Sequence, residues 1–319
     1  MRGFVANTDH DELSFLRAIE PPVEEINFWR AGSGSRFRAL QPGEPILFKL
    51  KAPHDAIAGF GWFAHFSILP LSIAWRIYET ANGSPSRITM RERLLSIRGR
   101  FGMEVDPKKD FDIGCILVSQ PFFFDQQDWV RAPRDFARNI VQGKVYDLTR
   151  GEGRRLWRDC LERASSQRRI DARDLIADGV SPSHLLPGGH GSPALIRSRL
   201  GARSFRIAVL DGYGRRCAVT GEGALPALEA ARIREYRGVQ EHSVNNGILF
   251  RADIQRLFEA GYVTVTPEYR FAVSGALSEK DDGGEYSRLH GTAIHLPENP
   301  AYRPLLEALW WHNEERFPG

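Results

Sequence analysis

Residues 56–75 run for twenty positions without Lys, Arg, Asp or Glu, and such a segment has few uses. A membrane helix needs about 20 apolar residues in a row. Here Gly59, Gly61, His65, Ser67, Pro70 and Ser72 interrupt the run. Gly and Pro at that density favour a strand buried inside a sheet, at least over the first half. Two further apolar runs, 46–53 (ILFKLKAP) and 113–124 (IGCILVSQPFFF), are bounded in the same way. They predict strands of a compact sheet or barrel. Between them, Ile73, Ile77 and Ala81 recur every four residues and Asn82-Gly83 supplies a stop, which predicts a helix over 72–83. A second helix is expected over 87–102.

With 319 residues, more than one domain is expected. Residues 1–165 read as a β-rich unit with helices on its flank. Residues 166–195 lose periodicity and gain Ser, Gly, Pro and charge, the composition of a linker with room for one short helix. Residues 196–319 form a second unit with a C-terminal tail. Within it, helices are expected over 202–214, ended by glycine, and over 304–317, where Leu306, Trp310 and Trp311 would pack on the body. The fold class is therefore α+β. A hydrophobic content of 42% and a charged content of 26% exclude a mostly disordered or collagen-like chain. The first fifteen residues carry charges where a secretory leader needs an apolar stretch. Cys115, Cys160 and Cys217 are too far apart for a CxxC pair, so free thiols in a reducing cytoplasm are expected. No membrane association is expected.

The most specific signal lies in residues 215–270. It comprises Cys217-Ala-Val-Thr-Gly221, Leu228-Glu-Ala-Ala-Arg-Ile233, Asn246-Gly-Ile-Leu-Phe-Arg251 and Asp253-Ile-Gln-Arg-Leu-Phe-Glu-Ala-Gly261. In order and spacing these pieces resemble the HNH endonuclease family, in particular predicted restriction endonucleases carrying CAVTG, LEAAHI, NGLLLR and DIHRLFDAG segments. The first unit, with 27–30 (NFWR), 40–61 and 139–148, is similar to the N-terminal half of the same proteins, and that half resembles PUA-like domains. The resemblance implies a PUA-like reader of modified bases followed by an HNH-type ββα module with flanking helices. It also implies DNA, base-modified in some cases, as partner. A homodimer is one arrangement open to such a protein.

In an HNH module the first His activates water, the Asn fixes the hairpin, and the second His helps hold one divalent metal. The spacing carries these roles to positions 232, 246 and 255. Asn246 is retained. Position 232 is Arg, which cannot accept a proton at neutral pH. Position 255 is Gln, a poor replacement for imidazole on a metal. The expectation is a DNA-binding relative with impaired or lost cleavage. The alternative is a divergent nuclease with a rebuilt site, in which His242 is the base and Glu259, assisted by Asp253, holds Mg²⁺ or Mn²⁺. Glu259, four residues after Gln255, shares its helix face. Glu229 is three residues before Arg232, so strand alternation points the two apart. Arg232 could also clamp a phosphate.

The remaining residues have plainer readings. Asp253 is expected to be a helix N-cap and Cys217 a small hydrophobe. Gly221 and Gly247 suit a turn and a close backbone approach. Of the many aromatics in the first unit, Trp29 and Trp62, with His65, are candidates to hold a flipped base. Phosphate contacts are assigned to Arg215, Arg216, Arg234, Arg251, Lys49 and Lys51. Two basic blocks, 129–158 and 197–256, each carry a net +5 (8 − 3 and 11 − 6) in a chain of net +3, which fits phosphate contacts.

Overall fold

The computed structural model describes residues 1–34, 36–103, 106, 108–137, 139–177, 200–235, 243–281 and 284–317; side chains 168–177 and 280–281 are outside that description. The chain divides into two units, Met1–Arg197 and Ser198–Gly319. The fold is α+β.

The first unit is built on a seven-stranded mixed sheet. Its strands are β1 (Arg2–Thr8), β2 (Glu25–Arg30), β3 (Pro45–Leu50), β4 (Ala56–Pro70), β5 (Asp112–Phe123), β6 (Val130–Arg131) and β7 (Gly143–Asp147). Their order is β2-β5-β4-β3-β1-β7, with β6 paired to the start of β4. Only β1 and β3 run parallel; the other pairings are antiparallel. The charge-free segment is thus the long central strand β4, hydrogen-bonded on both edges, continuing into helix α2 (Leu71–Tyr78). A Cβ on Gly59 would lie 2.3 Å from the Phe122 carbonyl oxygen, so glycine is what lets β5 come this close. Among the described residues, no helix is long and apolar enough to cross a membrane.

Helix α1 (His10–Arg17) buries Leu13 and Leu16 in a cluster with Ile26, Ile46, Phe48 and Val118. Helix α3 (Arg87–Arg100) starts at an N-cap where Ser86 accepts from the Thr89 amide. Helix α4 (Gly151–Ala177) extends well past residue 165, into the stretch read above as a linker. Up to residue 164 it is anchored by Leu156, Cys160 and Ala164, which recur every four residues and are buried with Val5, Leu47 and Phe60. Two of its four described basic side chains are ion-paired. Arg155 pairs with Glu152 at 2.7 Å and Asp159 at 3.0 Å, and Arg158 pairs with Asp159 at 3.0 Å. The 129–158 block is therefore less available to phosphates than its count implies.

The second unit contains α5 (Ala202–Gly212), the antiparallel pair β8 (Leu228–Arg232) and β9 (Gly247–Arg251), and α6 (Ala252–Glu259). A second pair, β10 (Val263–Val265) and β11 (Phe271–Val273), precedes α7 (Gly275–Asp281), α8 (Glu285–Leu289) and α9 (Leu306–Glu315). Helix α9 turns a different face inward from the one expected. Leu306 and Trp310 are about half exposed, and Ala308, Leu309 and His312 are buried. The cause is His312, which stacks on Phe258 at 3.7 Å and hydrogen-bonds on both ring nitrogens, to Thr264 Oγ1 and to the Phe258 carbonyl. Cys115, Cys160 and Cys217 are all free and buried.

Candidate functional site: the β8–β9–α6 hairpin and helix

The site is built on the β8–β9 pair, whose register runs from Leu228 opposite Arg251 to Arg232 opposite Gly247. Helix α6 follows β9 without a break and buries Ile254 and Phe258. Gly247 admits helix α5. A Cβ there would lie 2.5 Å from Val209 Cγ2 and 2.8 Å from Phe205 Cζ. The loop carrying Cys217 is latched to β9. The Ala218 amide donates to the Leu249 carbonyl at 2.7 Å, and the buried Cys217 sulfur receives the amides of Thr220 and Arg251 at 3.5 and 3.3 Å. Gly221, with φ near +70°, makes the turn.

Asn246 is fully buried and clamps the end of β8. Its Oδ1 accepts the Arg234 amide at 3.1 Å, and its Nδ2 donates to the Arg234 carbonyl at 2.8 Å. Its own carbonyl accepts the Ile233 amide at 2.9 Å. These three bonds fix the backbone just after position 232 across twelve residues of chain.

Arg232 is half-buried, with its guanidinium 5.7 Å from the centre of the Phe205 ring. It borders a cavity of about 540 Å³ together with Arg206, Glu229, Glu259, Trp311 and Arg316. Glu229 and Arg232 therefore meet at one cavity, despite their odd spacing. Alternation sets only how each Cβ leaves the strand, and both long side chains turn to α5: Glu229 pairs with Arg206 at 2.7 Å, and Arg232 covers Phe205. Glu259 is exposed at the cavity's edge. Gln255, one turn earlier on α6, is half-buried and is not among the described residues lining it. His242 lies outside the described residues.

Asp253 does not cap helix α6. The N-cap position is Arg251, with no side-chain capping bond. Asp253 instead receives a two-pronged bond from Arg251 at 2.7 and 2.6 Å, and the Tyr286 hydroxyl at 2.8 Å. These bonds, Arg251's foremost, hold its carboxyl well below the usual range against the opposing effect of burial. The fork of Arg251 beside it outcompetes the amide groups of the helix start. Arg251 also pairs with Glu285 at 2.7 Å, so both its former assignment to phosphate and that of Asp253 to metal meet groups already engaged.

The remaining phosphate candidates divide. Arg215 pairs with Asp211 at 3.2 Å, and Arg216 donates to the Gly221 carbonyl at 3.0 Å. The Arg234 guanidinium lies 5.7 Å from the Trp311 ring centre. Lys49 is corrected outright. It is 4% exposed, pairs with Asp55 at 2.7 Å and sits 4.9 Å from the Phe136 ring centre. It faces inward because its register partner on β1 is Asn7, on the sheet face that Phe136 helps to cover. Lys51 is exposed and pairs with Asp9 at 3.6 Å.

In the first unit the three base-binding candidates reach one sheet face. Trp29 pairs with Cys115, His65 with Leu117 and Trp62 with Ser119, and those partners alternate along β5. Trp62 and His65 share the face only because β4 bulges between Phe63 and His65. Buried Glu25, Asn27 and Ser119 lie on it too, residues that the sequence reading passed over because nothing local marks them as inward-facing. Trp29 Nε1 donates to the Asn82 carbonyl at 2.9 Å, and Trp62 meets Trp157 edge-on at 5.6 Å, so both rings also serve packing.

The resemblance implies a divalent metal, and the donors at these positions do not fit one. Position 232 offers a cation, position 255 a neutral amide, and Asp253 is bound by Arg251 and Tyr286. Among the described residues, no group of three or more His, Cys, Asp or Glu is placed to hold a metal ion.

No protein-family model and no curated protein matches the chain. Among solved structures, the chain has weak similarity to the ASCH protein of Zymomonas mobilis, at 12% identity and a TM-score of 0.31, covering 48% of this chain and 92% of that one. It has weak similarity also to the modification-dependent TagI restriction endonuclease, at 10% identity and a TM-score of 0.27, covering 98% of this chain and 81% of that one.

Proposed function

We propose that this chain is a DNA-binding relative of modification-dependent restriction endonucleases, in which an HNH-type hairpin and helix persist as a frame and phosphodiester hydrolysis is impaired or lost. The observation that carries the reading is Asn246. It makes the bonds that an HNH asparagine is expected to make, fixing the backbone beside position 232, while position 232 itself presents a guanidinium. A frame that keeps the asparagine clamp and carries Arg and Gln at the two reactive positions fits binding without turnover. The PUA-like first unit would read a modified base through the face that carries Trp29, Trp62 and His65.

The test is binding of the full chain to plain, 5-methylcytosine and 5-hydroxymethylcytosine duplexes across a salt series, with Mg²⁺ or Mn²⁺ and product analysis. The reading expects affinity that falls with salt, at a slope of about 0.9 per phosphate neutralised, and no cleavage. Salt-independent binding, or none, refutes the DNA-binding role. Metal-dependent cutting favours the alternative with a rebuilt site.

A further inference from the structure

Helix α4 carries two stripes at helical spacing, and the core of the first unit takes only one of them. Leu156, Cys160 and Ala164 are buried against the sheet. One residue further on, Trp157, Leu161 and Ser165 repeat the spacing on the outer side, where Leu161 is 42% exposed and Ser165 is exposed. A groove of about 500 Å³ runs along this outer stripe, with Leu148 and Ser166 also in its lining. A surface helix turns one apolar stripe to its own core, so the second calls for a cover from outside the unit.

The outer stripe is complementary to itself. Trp157 and Ser165 stand four residues either side of Leu161, a large side chain at one end and a small one at the other. A second α4 crossing antiparallel over Leu161 lays each Trp157 on the other copy's Ser165 and Ser166, and sets Leu161 against Leu161. A two-fold contact makes each such pairing twice, and ridges seat in grooves when their sizes match in this way. The charges follow the same pattern. Arg158 and Glu162 both line the groove, and the two-fold brings Arg158 of each copy to Glu162 of the other. Within one chain that pair is loose, at 3.7 Å, and exposed pairs of this kind are easily redirected. A nucleic-acid backbone fits the face less well, because the stripe is apolar and Glu162 lies along it. We propose that the outer face of α4 docks the same face of a second copy of this chain. One helix crossing buries less than the about 1,600 Å² of a standard interface, so the dimer is weak, with a Kd of about 10–100 µM. The contact is independent of the DNA-binding reading and needs no nucleic acid.

The test is sedimentation of the full chain without DNA, from about 1 µM to about 1 mM, a range that brackets the expected Kd. The expected result is a monomer–dimer equilibrium. Leu161→Asp sets two carboxylates face to face at the axis and should weaken the dimer at least about 30-fold. Arg158→Glu and Glu162→Arg should each weaken it about tenfold, since each sets like charges together twice. An equimolar mixture of those two variants should associate like the wild type, because every facing pair is then of opposite sign. Leu161→Cys should cross-link to its own copy on oxidation with diamide. Arg163→Cys, exposed on α4 but off the stripe, should not, and the buried native cysteines leave the wild type uncross-linked.

A chain that stays monomeric throughout that range overturns the proposal, as does association that requires added duplex or is indifferent to Leu161→Asp. Failure of the mixed charge variants to recover overturns it even where Leu161→Asp folds poorly. Cross-linking of Arg163→Cys as readily as Leu161→Cys overturns it as well.

Discussion

Replacing Asn246 by alanine tests whether its side chain holds the hairpin. The substitution removes the acceptor of the Arg234 amide, at 3.1 Å, and the donor to the Arg234 carbonyl, at 2.8 Å. A buried polar group stranded in this way costs about 1–3 kcal/mol. Arg234 is half-buried, so water can reach part of the vacated space, and the lower part of that range applies to each group. The sum is about 2–3 kcal/mol, or about 30- to 150-fold in the local opening equilibrium. Amide hydrogen exchange resolves this where a global melt would blur it, since the chain has two units. The Arg234 amide should exchange faster by that factor, and the amides of β8 and β9 should follow, while those of β3 and β4 keep the wild-type rate. Asn246→Asp keeps the acceptor but sets a carboxylate against the Arg234 carbonyl, and should protect no better than alanine. An Arg234 amide that exchanges less than about threefold faster in Asn246→Ala would refute the clamp, since that factor corresponds to only about 0.7 kcal/mol.

Three further outcomes follow from the same geometry. Gly247→Ala forces a Cβ to within 2.5 Å of Val209 Cγ2, and should destabilise the second unit by about 1–3 kcal/mol in denaturant unfolding; a neutral substitution would mean that α5 yields freely. His312 is lowered from 6.5 to about 4 by burial, so the unfolded chain takes up a proton that the fold refuses. The second unit should therefore lose up to about 3 kcal/mol as pH falls from 6.5 to 4, and His312→Gln should flatten that slope in denaturation midpoints at pH 7 and 4.5. Glu12, half-buried against Gly83, is pushed up from 4.5 to about 8 by burial first and by Asp9, against Arg93 and Lys51. The folded chain then keeps a proton that the unfolded chain releases between those values, so the first unit should lose stability as pH rises from 4.5 to 8. Glu12→Gln should remove that loss, and a wild-type melting temperature flat from pH 5 to 8 would contradict it.

The elements that the sequence exposes are those set by local composition. Gly- and Pro-bounded apolar runs placed β3, β4 and β5; the helix expected over 72–83 ends instead at Tyr78, and a 3-10 turn over Glu79–Asn82 carries the chain to Gly83, left-handed at φ 70°. What stayed hidden depends on partners distant in sequence. The stripe of Leu156, Cys160 and Ala164 on α4 is masked by the arginines between them, so the helix over 151–165 went unread. Trp62 and His65 reach one face only through a bulge imposed by pairing with β5. Asp253 looked like a cap because its offset fits one, whereas Arg251 and Tyr286, the latter 33 residues away, claim its carboxylate. Lys49 looked like a surface base, but its strand register turns it inward beside Asp55. For the candidate site, the resemblance of residues 215–270 to HNH modules singled out positions 232, 246 and 255. The cavity could not be foreseen, since α5 and α9 bring Arg206, Trp311 and Arg316 to it from opposite ends of the unit.

The most direct test of the central claim is cleavage of plain and base-modified duplex DNA by the natural chain and by the double variant Arg232→His, Gln255→His, with Mg²⁺, Mn²⁺ or Ni²⁺. If the frame is an HNH module with its chemistry removed, the natural chain binds without cutting and the double variant nicks DNA in a metal-dependent manner. Metal-dependent cutting by the natural chain, abolished by Glu259→Gln, would contradict that account and establish a rebuilt site.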